Sequence, residues 1–346
     1  MLTVYTDDHH LHDAKAEFVQ GHMVPIFEMP KRADYVIARV RQVNLGEVMA
    51  PERQPREAIE RIHSAEFLSF LETAWEEWRK TNDQGEAMPN TWPGRGLRQV
   101  IPEKIGAKIG YYCFDSSTPI MSGTWRAALA AAEVALTGAG RVAAGAPAAF
   151  ALCRPPGHHA GRDYYGGYCF LNNAAIAAQG LRDRGAARVA ILDVDYHHGN
   201  GTQAIFYGRD DVFFLSLHAD PRWDYPYFLG FAEEVGEGAG KGFNANYPMP
   251  WGTSWDRYGE ALGDAIARIR RYGAEAIVVS LGVDTFKEDP ISKFKLEMAD
   301  YPKIGAMIAA LGLPTLFVME GGYAVEEIGI NTVSLLQGFE GRRAAG

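Results

Sequence analysis

Asp193, Asp195 and His197 alternate along residues 188–202, and in an extended chain side chains two apart share a face. The unbroken apolar run Val189-Ala190-Ile191-Leu192 just before them marks a short strand buried on both sides. Open α/β sheets bind ligands beyond the carboxyl ends of such strands. Two carboxylates and an imidazole delivered there are costly to desolvate unless a cation or a ring of donors compensates them.

Four further strand-like runs end in residues of the same kind. Ala148-Leu152 leads into Cys153-Arg-Pro-Pro-Gly157-His158-His159, and Val212-Leu217 into His218-Ala-Asp220. Ala276-Leu281 leads into Gly282-Val-Asp284, and Thr315-Met319 into Glu320-Gly-Gly-Tyr323. Asp195, His197 and Asp284 make a one-histidine, two-carboxylate set suited to a borderline divalent cation such as zinc, with one position open to water. Iron and cobalt accept the same ligands. His158 and His159 are expected to face one pocket through a kink permitted by Gly157, and to move protons. Asp193 is the partner expected for one imidazole and Asn200 for the other. Tyr323, behind two glycines, is placed to donate to a developing oxyanion. Tyr168, after Gly166-Gly167, and Tyr225 are expected as walls of an apolar channel.

The elements that must position these residues alternate between strand and helix patterns. That predicts an α/β fold with an open, mostly parallel sheet and helices on both faces. Helical spacing covers residues 33–40, 64–78 with Ser64 as cap, 125–136, and 254–273. Leu2-Tyr5 reads as a strand, and His9, His10, His12 and His22 after it are expected on surface loops. Residues 81–123 lack a sustained period and are rich in Gly, Pro, Trp and Arg. They read as a functional insertion within a single catalytic domain spanning residues 1–346, with Trp92 and Tyr111-Tyr112 packed against another surface.

The chain of 346 residues, 47% of them hydrophobic, can bury a large core. Its 34 basic and 43 acidic side chains give a net charge of -9 without any Lys/Arg block. This argues against a nucleic-acid or anionic-membrane partner and favours a cationic small molecule. Cys113, Cys153 and Cys169 form no C-x-x-C pair, so neither a disulfide framework nor a thiolate zinc site is signalled. With no secretory signal pattern at the N-terminus, a cytoplasmic setting is expected.

Taken together, these residues resemble the histone deacetylase superfamily, and most closely its bacterial acetylpolyamine amidohydrolases. The resemblance is carried by Arg154-Pro-Pro-Gly-His-His-Ala160, Gly167-Tyr-Cys-Phe-Leu-Asn-Asn-Ala174, Asp193-Val-Asp-Tyr-His-His-Gly-Asn-Gly-Thr202, Leu281-Gly-Val-Asp284 and Glu320-Gly-Gly-Tyr323. It implies an arginase/deacetylase-like three-layer sandwich and zinc-dependent removal of acetyl groups from amines, a hydrolysis of linear amides. It further implies that Asp195, His197 and Asp284 bind the metal and that His159 is the general base and acid. His158 would be held by Asp193, and Tyr323 would donate to the substrate carbonyl. A potassium ion near Asp193, Asp195, His197, Ser216 and Leu217 is implied as well. Glu17, Gly167, Tyr168 and Tyr225 are the substrate-binding positions implied, and the 81–123 segment is likened to an insertion that makes a homodimer and narrows access.

Two departures stand out. Asn200 occupies a position where many histone deacetylases carry aspartate, and Gly106 and Ser117 stand where acids around the channel mouth are expected, with Glu103 and Asp115 only nearby. The rival readings are a deacetylase of acetyl-lysine in proteins and a catalytically silent metal- or acyl-ligand-binding protein. A binder has no need of a proton-transferring histidine pair, and a two-metal ureohydrolase needs more bridging carboxylates than Asp193, Asp195 and Asp284 provide.

Overall fold

The computed structural model describes residues 1–82 and 84–344. Its strands are β1 Leu2–Val4, β2 Ala16–Val19, β3 His22–Pro25, β4 Val48–Met49, β5 Ala148–Ala151, β6 Val189–Asp193, β7 Val212–Ala219, β8 Asn244–Met249, β9 Ala276–Leu281 and β10 Thr315–Met319. The helices are α1 Lys31–Gln42, α2 Arg56–Glu60, α3 Ala65–Thr81, α4 Ile105–Tyr112, α5 Thr124–Ala143, α6 Asn173–Asp183, α7 Asn200–Phe206, α8 Trp255–Tyr272, α9 Tyr301–Ala309 and α10 Ile328–Ala344.

Eight strands form one sheet in the order β4-β1-β5-β10-β9-β6-β7-β8, and its strand pairs are parallel. The expected sheet is therefore present, and its central strands are buried throughout. Alternate residues of each strand feed two cores. Ala190 and Leu192 pack into the core with α1, α8, α9 and α10. Val189 and Ile191 pack into the other with α3, α5 and α6. The result is a three-layer sandwich.

Local signals explain some helix ends. The Ser64 hydroxyl accepts from the Phe67 N–H to cap α3, and Gly273 stops α8 in the left-handed region at φ 71°. The 81–123 segment holds more regular structure than its sequence pattern promises. It holds α4, whose Tyr112 stacks on Phe70 of α3 at a centroid distance of 4.4 Å, while Trp92 remains 40% exposed rather than buried.

The N-terminal histidines correct a second expectation. His10 and His22 are exposed, but His9 and His12 are buried. Their turn is drawn inward because Arg154 donates to the His9 and His12 carbonyls at 2.6 and 2.7 Å. No helix among the described residues is long and apolar enough to cross a membrane.

Candidate active site

β6, β9 and β10 lie side by side and in register, so their carboxyl ends release the chain at one place. Asp195 follows β6 by two residues, Asp284 follows β9 by three and Tyr323 follows β10 by four. The chain bends at 195–197 instead of staying extended, yet the side chains still converge. His197 Nδ1 lies 3.4 Å from Asp195 Oδ1 and 3.0 Å from Asp284 Oδ2. The His197 N–H donates to the same Asp195 Oδ1 and the Tyr196 N–H to Asp284 Oδ1, each at 2.8 Å, and these bonds fix both carboxylates.

These three side chains fit a metal. Their donor separations bracket the roughly 3.3 Å edge of a tetrahedron with bonds near 2.0–2.1 Å. All are buried, and two carboxylates in one low-dielectric site repel each other unless a cation sits between them. Burial and the adjacent Asp195 charge accordingly push Asp284 above the usual carboxylate range. Glycines shape the cradle. A Cβ on Gly282 would lie 2.0 Å from Asp195 Oδ2, and one on Gly321 would lie 2.5 and 2.6 Å from Asp195 and Asp284 oxygens. Gly321 is thus required for space, and its N–H donates to Asp195 Oδ2 at 2.8 Å.

The histidine pair stands beside this centre. His158 Nδ1 bonds Asp193 Oδ2 at 2.9 Å, and His159 Nδ1 bonds Asn200 Oδ1 at 2.6 Å. Each imidazole therefore has the partner expected for it. Burial alone would lower His158, but the Asp193 and Asp195 carboxylates raise it to about 10. Burial and the neighbouring His158 and His197 hold His159 well below its ordinary value. The two adjacent rings therefore differ strongly in basicity, His158 being the more basic. The Gly157 role differs from the one expected. Its φ is not positive, and glycine is needed because a Cβ would meet the Asn173 backbone nitrogen at 2.4 Å.

Tyr323, Tyr168, Tyr225, Gly167, Glu17, His159 and His197 line one cavity of about 210 Å³. Tyr168 donates to both Glu17 oxygens at 2.9 Å, and its ring meets that of Tyr323 edge-on at 5.7 Å. Burial raises the Tyr323 phenol well above its ordinary value, so it is a hydrogen-bond donor at neutral pH. Across the β6–β7 register Asp193 faces Ser216, with Leu217 next along β7, while the Ser216 hydroxyl bonds His218 Nδ1 at 2.8 Å.

A histone deacetylase domain model matches residues 26–338. The chain belongs to the histone deacetylase family. It is accordingly a hydrolase acting on amides. Among its relatives, acetylpolyamine amidohydrolase 1 of Pseudomonas aeruginosa is 59% identical over 343 residues, covering 99% of each chain. The acetylpolyamine amidohydrolase of Mycoplana ramosa is 54% identical, covering 99% of this chain and 100% of its own. The crystal structure of the Burkholderia pseudomallei acetylpolyamine aminohydrolase superposes with a TM-score of 0.95 at 42% identity, covering 99% of both chains. The HDA15 HD domain superposes with a TM-score of 0.81 at 26% identity, covering 99% of this chain and 90% of its own.

In this family member several site residues escaped sequence reasoning. Asp115, Asp224 and Phe27 line the same cavity. Asp115 had only its closeness to an expected acid to mark it, and Asp224 only its place beside Tyr225. Glu320 is buried and accepts the Gly157 and His158 N–H groups at 2.6 and 3.2 Å, so it holds the histidine loop. Its place in the Glu-Gly-Gly-Tyr motif was the available signal.

Two other clusters do not extend the site. His9, His10 and Asp34 bring nitrogen and carboxylate atoms together, but His9 Nδ1 is buried with no partner. Ligation through His9 Nε2 would strand a proton there. An open hollow of about 660 Å³ is lined by Arg61, Arg182 and Arg209, each already paired with Asp183 or Asp211.

Proposed function

We propose that the protein is a zinc-dependent amidohydrolase that removes the acetyl group from acetylated polyamines or diamines, releasing acetate and a free amine. The observation that carries this is the composition of the cavity wall. Glu17, Asp115 and Asp224 line a cavity of about 210 Å³ whose lining includes no Lys or Arg. A small acetylated amine with a distant ammonium fits both the volume and the acidic lining. The names of its relatives at 54–59% identity support the same substrate class.

Asp195, His197 and Asp284 would hold the zinc, which when bound lowers the pKa of water and polarises the acetyl carbonyl. Iron or cobalt would satisfy the same ligands. The chain's own residues do the rest. His159, with its Nδ1–H spent on Asn200 Oδ1, presents Nε2 as the base that takes the proton of the attacking water. Tyr323 donates to the carbonyl oxygen as negative charge grows there. His158, held by Asp193 through Nδ1, keeps its ring beside the reacting centre. His159 then returns its proton to the departing amine.

A potassium ion held by Asp193, Asp195, His197, Ser216 and Leu217 belongs to this proposal, as does a homodimer formed through residues 81–123. Exposed Leu97 and Val100 in that segment support a covering surface, and three free, buried cysteines suit a reducing cytoplasm. No nucleic acid or membrane partner enters it.

The test is turnover of acetylputrescine, acetylspermidine and acetyl-lysine peptides by metal-reconstituted protein. The small amines should be processed with the higher kcat/KM. Preference for the peptide would make the protein a lysine deacetylase instead, and no turnover with or without metal would leave a silent binder.

A further inference from the structure

We propose that Asp115 is a positioning residue that sets the width of the substrate channel, by tying the 81–123 insertion to both walls beside His159. This rests on the channel assignment above. One carboxylate oxygen, Asp115 Oδ2, accepts from the Gly167 N–H at 2.6 Å and from the Tyr225 hydroxyl at 2.9 Å. The other, Oδ1, accepts from the Ser117 N–H at 3.1 Å and the Thr118 hydroxyl at 3.0 Å. Thr118 Oγ1 in turn accepts the Tyr168 N–H at 2.9 Å.

The wall held this way is under strain. Gly167 and Tyr168 are consecutive left-handed residues at φ 58° and 65°, a conformation that tyrosine keeps only where its surroundings impose it. Both of their N–H groups are taken up by residues of the insertion. The wall is also in direct touch with the base. A Cβ on Gly167 would lie 2.2 Å from His159 Cδ2 and 2.9 Å from the Tyr225 oxygen, and the Tyr225 ring stands edge-on to His159 at 5.0 Å. Two walls that flank one imidazole therefore hang on a single charged acceptor, whose hydrogen bonds are about twice as strong as neutral ones. Releasing that acceptor lets both walls move apart, so selection for slender acyl amines falls while bulkier ones gain entry.

The experiment compares wild type with Asp115→Ala, Tyr225→Phe and the double variant, all metal-loaded and full length. Two ratios are read. One is kcat/KM for acetylputrescine over an acetyl-lysine peptide. The other is the calorimetric affinity for a straight-chain alkyl hydroxamate over one with a bulky aromatic cap. Asp115→Ala is expected to lower both about tenfold, with the change largely in KM and in Kd, and Tyr225→Phe to lower them less. The double variant should match Asp115→Ala alone, since Tyr225 acts through the same carboxylate. A folded Asp115→Ala protein with both ratios unchanged overturns the proposal, as does full multiplicative independence of the two substitutions. If Asp115→Ala does not fold, Tyr225→Phe and Thr118→Val decide it, and unchanged ratios in both overturn it. Wild type that turns over no acetylated amine defeats the functional reading, while the hydroxamate ratio still tests Asp115.

Discussion

At the scale of single residues, the site divides labour between groups that are chemically alike. His158 and His159 are adjacent, yet one is paired with a carboxylate and the other with an amide. His159→Ala is expected to lower turnover by about 10²- to 10⁴-fold, the range for loss of a general acid or base. Tyr323→Phe should lower kcat by about 10²- to 10³-fold, as for loss of one oxyanion donor. Melting temperatures near wild type, checked by calorimetry alongside rates, separate these losses from unfolding. Gly321→Ala carries a different signature. Its methyl group would occupy the space of the Asp195 and Asp284 oxygens, so the purified variant should hold far less zinc than wild type in an elemental assay. These residues were legible in the sequence because each sits just past an apolar run. The reason for the glycines was not, because it lies in contacts such as Gly321 with Asp195, 126 residues apart.

At the scale of elements, the N-terminal segment is bound to the histidine loop by a buried charge cluster. Arg154 forks onto Glu28 at 2.8 and 2.9 Å, and Arg32 joins the same carboxylate at 2.8 Å while donating to the Gly322 carbonyl at 2.6 Å. Glu28→Gln leaves both guanidinium groups uncompensated and is expected to cost about 3–5 kcal/mol in urea unfolding. Acid should act on histidines buried elsewhere in these elements. Burial, with the Arg154 charge a lesser cause at His12, lowers His12 and His63 from 6.5 to about 4. Between those values the unfolded chain binds protons that the folded one refuses. The contribution of these two histidines to stability is therefore whole above pH 6.5, falls on the way to pH 4 by up to about 1.4 kcal/mol per pH unit for each, and levels off below. A flat stability profile across that window would contradict it. The burial of His9 and His12 was hidden from sequence reasoning because the arginine that draws them in is more than 140 residues away. Doubly buried β5, β6, β9 and β10 were plain as apolar runs. β8, with Asn244, Asn246 and Pro248 at the sheet edge, carried no such run, and α4 has glycines at two of its eight positions and no side-chain cap.

At the scale of the whole molecule, the proposed metal and the proposed dimer make separate demands. Dialysis against a chelator should abolish turnover, and added zinc should restore it. The metal-free protein should also melt at a lower temperature, since an ion bound only by the folded state stabilises it. Sedimentation should find a dimer, and a monomer with unaltered substrate selectivity would break the link between insertion, assembly and access. The strand order carries a further consequence, for synthesis. β10, residues 315–319, lies between β5 and β9 and joins the β4-β1-β5 group to the β9-β6-β7-β8 group. A nascent chain emerging from the ribosome can therefore assemble two partial sheets but cannot zip them together until β10 has been made. The same late strand delivers Glu320, Gly321 and Tyr323 to the site, so hydrolytic competence arrives only with the last strand, after every other wall of the pocket has been translated.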